Sequence, residues 1–174
     1  MNKLLKVSAM LVLPAALAAC GSMAPMVAPE TPAAVTVPAG NKLVTVLKGE
    51  GLLTWECKAN ATGALVWTGP SPDADLIDKS GAKVGKYYGG PTWSHNDGSK
   101  VTGKQLAVSP SPGNIPLQLV QANPATGEGA MTGVTFIQRL NTMGGTAAGT
   151  CAADNAGAKQ VVKYSADYYF YKAS

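Results

Sequence analysis

One histidine, one arginine and two phenylalanines are all that 174 residues contain of those side chains, and only 14% of positions are charged. With His95 as the sole histidine, a multi-histidine metal centre cannot be assembled, and no metal or other cofactor is expected. Long apolar runs are also missing. No stretch of 18 apolar residues occurs, which excludes a conventional membrane-spanning helix. Three signatures are lacking as well: the strand-bounded G-x-G-x-x-G of dinucleotide binding, the G-x-S-x-G nucleophile elbow, and the Gly-Lys-Ser/Thr of a phosphate loop. The formal charge of +4 is small and partly carried by Lys3 and Lys6, in a segment expected to be removed. What remains makes no electrostatic footprint for nucleic acid.

What is present divides the chain into three. Residues 1–19 carry two lysines, then an apolar stretch from Val7 to Ala16, the layout of a secretory signal. Leu17-Ala18-Ala19-Cys20 resembles the bacterial lipobox, in which a diacylglyceryl group joins the cysteine thiol and cleavage leaves that cysteine as the acylated N-terminus. Each buried methylene contributes about 0.8 kcal/mol, so two or three acyl chains, palmitate among them, anchor a domain firmly. Gly21 stands where the inner-membrane retention rule of enterobacteria looks for Asp, which favours an outer-membrane address within the cell envelope and its periplasm. Residues 20–40 read as a lipidated N-terminus and a Pro/Ala-rich linker, interrupted by Pro25, Pro29, Pro32 and Pro38.

From residue 41 to 174 the pattern is that of a single β-domain. Short β-branched and aromatic runs are separated by Gly, Pro, Asn and Asp. Expected strands are Leu43–Leu47, Leu52–Lys58, Leu65–Trp67, Lys83–Tyr88, Gln105–Val108, Leu117–Ala122, Val134–Leu140 and Val161–Tyr171, with Lys48 to Gly51 turning the chain between the first two. In the last run Val162, Tyr164, Ala166, Tyr168 and Phe170 alternate with more polar neighbours, the mark of a half-buried strand. About 8–10 short antiparallel strands make an all-β fold, a β-sandwich or a small β-barrel. A short helical turn is expected within Ala147 to Ala158.

Once Cys20 is lipidated, Cys57 and Cys151 form an even pair in an oxidising compartment and are expected to bridge. Closing so long a loop is worth about 4–5 kcal/mol in the chain-entropy account.

Several motifs stand in series: Gly85-Lys86-Tyr87-Tyr88-Gly89-Gly90-Pro91-Thr92-Trp93 with Asp97-Gly98-Ser99, Ile115-Pro116-Leu117, Thr135-Phe136-Ile137-Gln138-Arg139, Thr142-Met143-Gly144-Gly145, and Tyr164 to Tyr171. In this order they resemble the domain of unknown function 3455 family of secreted bacterial and fungal proteins, over about Val37 to Lys172. Two positions depart from that family's pattern: Tyr87 stands where a histidine is usual, and Leu117 where a tryptophan is. The resemblance implies no established activity. Some relatives are labelled malate dehydrogenase, a label that the missing nucleotide-binding fingerprint does not support.

Candidate site residues follow from chemistry. Tyr87, Tyr88 and Trp93 form the densest aromatic group, and Gly89-Gly90-Pro91 is expected to turn the chain and expose Trp93 beside His95 and Asp97. Exposed aromatics stack on sugars and anchor interfaces. Asp73, Asp75 and Asp78 lack the glycine and glutamate of a calcium loop and read as a solvated turn after Pro70 and Pro72. Gly144-Gly145-Thr146 reads as a flexible lead-in to Cys151. Ser94 and His95 are strand neighbours and point to opposite faces. Glu50 with Glu56, or Asp97 with Asp167, would have to be brought together by folding to act on a glycan. No catalytic residue is therefore assigned. Alternation puts Val134, Phe136, Gln138 and Leu140 on a core-facing side of one strand, with Gln138 bonded to backbone or a trapped water. Arg139, on the other side, is expected to be partly buried and held by a carboxylate or several carbonyls. The expected function is a non-enzymatic envelope module that meets the membrane through its lipid and binds a small molecule, glycan or protein, with no nucleic acid. The alternative is a hydrolase acting on an envelope glycan or ester.

Overall fold

The structure is a computed structural model that describes residues 26–174; the signal sequence and Cys20 expected above lie outside the described residues. Eight antiparallel strands follow one another in sequence: β1 (Asn41–Ala59), β2 (Leu65–Ile77), β3 (Lys83–Tyr88), β4 (Thr92–His95), β5 (Lys100–Ser109), β6 (Leu117–Ala122), β7 (Val134–Gly144) and β8 (Lys159–Ala173). Each pairs with its neighbours in the chain, and β8 returns to pair with β1, so the sheet closes as a barrel. Closure removes every sheet edge over the paired length.

An eight-stranded barrel is just wide enough for side chains to fill. Here Leu53, Leu76, Trp93, Val101, Ile137, Tyr168 and Phe170 do so, all essentially inaccessible to solvent. The alternation expected along β8 holds, with Tyr164, Ala166, Tyr168 and Phe170 in that core. Outside, the mid-barrel ladder positions are charged: Lys48 faces Asp167, Glu50 faces Asp75, and Asp75 faces Lys86. That polarity is the reverse of a membrane-spanning barrel, whose outer band is apolar. Among the described residues no helix is long and apolar enough to cross a membrane.

Five expectations about local structure need correction. Lys48 to Gly51 does not turn the chain but runs on inside the single strand β1. Gly49 and Gly51 share the inward face with Leu47 and Leu53. A Cβ at Gly49 would sit 2.5 Å from Tyr168 Cε2, and one at Gly51 would run into the backbone of Asp73 and Ala74. Both glycines therefore serve close approach, not reversal. Pro70, Pro72, Asp73 and Asp75 are likewise not in a solvated turn but inside β2. The prolines lie before Asp73, where pairing with β3 begins, so the N–H groups they lack are not needed there.

The expected linker also changes character. Ala33–Val35 form a short 3-10 turn, and Val35 is wholly buried against Leu119 and Leu140, flanked by Val37, Phe136 and Tyr169. Residues 29–38 thus form a strap over an apolar stripe on the outside of β6–β8, and the packed unit starts ahead of residue 41. This strap explains β7. A bulge between Val134 and Phe136 breaks the simple alternation. Val134 and Ile137 enter the barrel core, whereas Phe136 and Leu140 face outward beneath the strap. The side expected to face the core is therefore an outer side, buried by a different element.

Gly144 to Thr146 is not a loose lead-in. Gly145 N–H donates to the Lys163 carbonyl, its own carbonyl accepts from Trp55 Nε1 at 2.8 Å, and a Cβ on it would press on Ile115 and Leu53. The short strand β4 escaped sequence reading because four residues are too few to show a period. Cys57 and Cys151 are joined, tying the far end of β1 to the β7–β8 loop, in which Ala153–Asn155 form the expected helical turn.

Replacing Gly51 by valine is expected to destabilise the barrel by more than about 1 kcal/mol, because overpacking costs about 1–3 kcal/mol and the obstruction here is backbone. Urea denaturation of the two proteins measures it; an unchanged midpoint would show that β1 has room at this point.

Candidate functional site

The aromatic group singled out in the sequence folds into the barrel. Tyr87 and Trp93 are register partners on β3 and β4, and their rings stack at 4.8 Å and 20°. Tyr168 meets Trp93 edge-on at 5.8 Å. Trp93 has no accessible surface, so the Gly89-Gly90-Pro91 turn does not expose it. The rings fill space that a ligand would need. Tyr88 alone of the group is substantially exposed, on the outer face opposite Asp73. Burial raises the Tyr168 hydroxyl well above its ordinary pKa and does the same to Tyr87 and Tyr164, so all three remain neutral donors.

His95, Asp97 and Ser99 come together in the β4–β5 turn, but in an order that cannot activate a nucleophile. Asp97 is central. Its Oδ1 accepts from the Ser99 hydroxyl at 2.6 Å and from Ser99 N–H at 2.9 Å; its Oδ2 accepts from Ala130 N–H at 2.7 Å and lies 2.9 Å from His95 Nδ1. Ser99 Oγ then accepts from Met131 N–H. A triad needs the histidine between serine and acid. This arrangement is instead a latch that ties the β4–β5 turn to the β6–β7 loop. The Ser99 hydroxyl foremost, then the Ala130 and Ser99 N–H groups, hold the Asp97 carboxyl far below the usual range.

Gln138 and Arg139 are both buried, on opposite sides of β7. Gln138 Nε2 donates to the Val35 carbonyl at 2.5 Å, and its Oε1 accepts from Tyr171 at 2.6 Å, so it pins the strap. Arg139 donates through Nε (3.1 Å) and Nη2 (2.9 Å) to one carbonyl, that of Pro116. Neither the expected carboxylate nor a set of carbonyls holds it. The sequence-paired acids stay apart: Glu50 and Glu56 are six residues apart on one strand, about 20 Å, and Asp167 accepts from Asn141 on the outer wall.

With the interior full, concave surface must lie outside. A groove with a volume of about 610 Å³ crosses β7, β8, β1, β2 and β3. Leu52, Ile77 and Met143 supply apolar surface, and Tyr164, Gly51 and Gly144 also line it. Met143 is 67% exposed. Gly144 has a positive φ of 67°, which a residue with a Cβ adopts reluctantly, and this kink sets Met143 at the rim. The charged groups are Glu50, Asp75, Lys83 and Lys163. Glu50 pairs with Lys48, and Asp75 with Lys83 at 2.6 Å and Lys86 at 2.8 Å. Those two lysines pull the Asp75 carboxyl down to about 2. Lys163 has no acidic partner among the described residues. Sequence reading missed this groove because its residues come from five strands and share no motif; the exposed Met143 beside two glycines was the one local sign.

The family described as "Protein of unknown function (DUF3455)" matches residues 38–172. The chain belongs to this family. No curated protein and no solved structure matches the chain. The DUF3455 match spans all eight strands, the latch and the groove, and starts within the strap just after its buried Val35.

Two changes test these assignments. Arg139→Lys keeps the charge but loses the two-point grip on Pro116 and is expected to cost more than about 1 kcal/mol, where surface changes stay within about 0.5. Because the Asp97 carboxyl is depressed in the folded state, its contribution is complete above the unfolded value near 4 and disappears as pH falls below it. Asp97→Asn should therefore lower the melting temperature at pH 7, and the gap to the parent should narrow below pH about 4. A gap that stays constant with pH would show that Asp97 is not held as a carboxylate.

Proposed function

We propose that this DUF3455 member is a cell-envelope lipoprotein, tethered through Cys20 to the outer membrane, whose barrel is a non-enzymatic binding module. The observation that carries the reading is the contrast between a barrel filled by its own aromatics and an open outer groove with apolar surface and a cation that has no acidic partner among the described residues. Leu52, Ile77 and Met143 suit an alkyl or aromatic body, and Lys163 suits a carboxylate or phosphate head. An acidic amphiphile combines the two. The hydrolase alternative draws less support. Asp97 is committed to the latch, Ser99 bonds the acid and not the histidine, and Asp75 is held ionised where a general acid must be held protonated.

Purified protein titrated with sodium laurate, below its micelle concentration, is expected to show a rise in melting temperature, since binding to the native state stabilises it. Met143→Glu should abolish the shift without lowering the melting temperature of the free protein, and Lys163→Gln should weaken it. A shift given by neutral oligosaccharides and not by laurate, or equal shifts in all three proteins, would sink the assignment. For the tether, Cys20→Ser should move the protein from the membrane pellet to the supernatant after a high-salt wash. Continued sedimentation would overturn the lipoprotein reading.

A further inference from the structure

The barrel has two unlike ends. One is closed by the β1–β2, β3–β4 and β5–β6 turns and by the disulfide-tied β7–β8 loop; at the other, Gly40 and Ser174 are hydrogen-bonded side by side. The strap runs between them. Pro29 to Pro32 lie next to Ser111 and Thr142 at the disulfide end, and the chain reaches the opposite end at Gly40 before entering β1. Met26 therefore emerges at the disulfide end.

Exposed apolar side chains follow the same polarity. Val66, Leu106, Val108, Met143 and Val161 each lie in the half of their strand nearer the disulfide end, as does Tyr88 at the end of β3. Leu52 is just past the midpoint of β1 on the same side. Met26 and Val27, both exposed, precede the strap there. They come from β1, β2, β3, β5, β7, β8 and the strap, so they form a girdle about the disulfide end, some at its mouth, and not a single face. Among the described residues no large exposed apolar side chain stands in the other half.

We propose that the disulfide end of the barrel rests against the lipid surface, its apolar girdle in the interface, with the strap delivering the chain to that end. The inference rests on Cys20 being the anchor. Five residues lie between Cys20 and Met26, and those six residue steps, extended, span at most about 20 Å, against about 60 Å had residues 21–40 all been free. A domain confined so close to the bilayer sees it at high effective concentration, so a girdle of single Val, Leu and Met side chains suffices where an untethered domain would not stay bound.

The test places a nitroxide on an introduced cysteine in the mature lipidated chain, the native pair being oxidised, in phosphatidylcholine vesicles. Val108→Cys and Val161→Cys report on the girdle, and Ala82→Cys, in the β2–β3 turn, on the far end. Relative to the same labels on Cys20→Ser protein in solution, the girdle labels should lose collisions with a water-soluble nickel chelate and gain collisions with oxygen, while the label at 82 is unchanged. If the protein floats with vesicles but all three labels stay equally water-accessible, the tether stands and the docking is wrong. If the protein does not float at all, the anchor reading fails and this inference with it. If the girdle labels are already shielded in vesicle-free Cys20→Ser protein, a second copy covers the girdle and the lipid assignment is overturned.

Discussion

The mutual contact of the Tyr87, Trp93 and Tyr168 rings is the one on which the rest of this barrel depends. Three large rings within about one ring diameter of each other use up the lumen of an eight-stranded barrel. Other strands must thin to admit them, which is why Gly49 lies against Tyr168. The filled lumen also decides where chemistry can happen. A closed barrel with a full interior can offer a ligand only its ends and its outer wall, and the outer wall is where the groove and Lys163 are found.

Polar groups are buried at both surfaces of the wall, and they do different work. Arg139 and Gln118 are register partners on the inner side; Arg139 leans on the Pro116 carbonyl, and Gln118 donates to Gln105. Gln118 Oε1 and Trp93 Nε1 have no partner among the described residues, at a cost of about 1–3 kcal/mol each if they stay unmet, so the interior is packed tightly at some expense in hydrogen bonding. Gln138, on the outer side, has both ends satisfied and joins three separate segments through Val35 and Tyr171. The strap is thereby held by a directional bond as well as by the apolar contact of Val35, which fixes its register along the barrel as apolar contact alone would not.

What the sequence made legible was whatever repeats locally. Strands β3 and β6 begin and end where the alternation of Lys83–Tyr88 and Leu117–Ala122 places them, and β8 faces inward through the residues its pattern names. What it hid was whatever depends on a distant partner. Gly49 and Gly51 look like a turn because glycine in a turn and glycine at a close approach are the same letter; only Tyr168, more than a hundred residues on, and the backbone of Asp73 and Ala74 distinguish them. Val134 and Phe136 look like one face because a bulge leaves no mark in alternation. His95, Asp97 and Ser99 look reactive because the residue types are right, while the geometry that disarms them comes from Ala130 and Met131 in another loop. The groove, drawn from five strands, had no local pattern to show.

The two departures from the expected family pattern take on meaning in this light. Tyr87 stands where the resemblance implies a histidine, and its side chain is inside the barrel, stacked on Trp93 with its hydroxyl among those of Tyr164 and Tyr168. A ring at that position is enclosed by the barrel wall and packed against Trp93. The position therefore calls for an aromatic ring with a polar edge, a packing role that tyrosine fills as well. Leu117 stands where a tryptophan is implied, and it packs beside the cluster that Val35, Leu119 and Leu140 form under the strap. Leucine covers less apolar surface there than an indole, so in this chain more of the strap's hold passes to Val35 and to the Gln138 bond. Both departures thus alter how the wall is packed, inside at one site and outside at the other, and neither touches the groove.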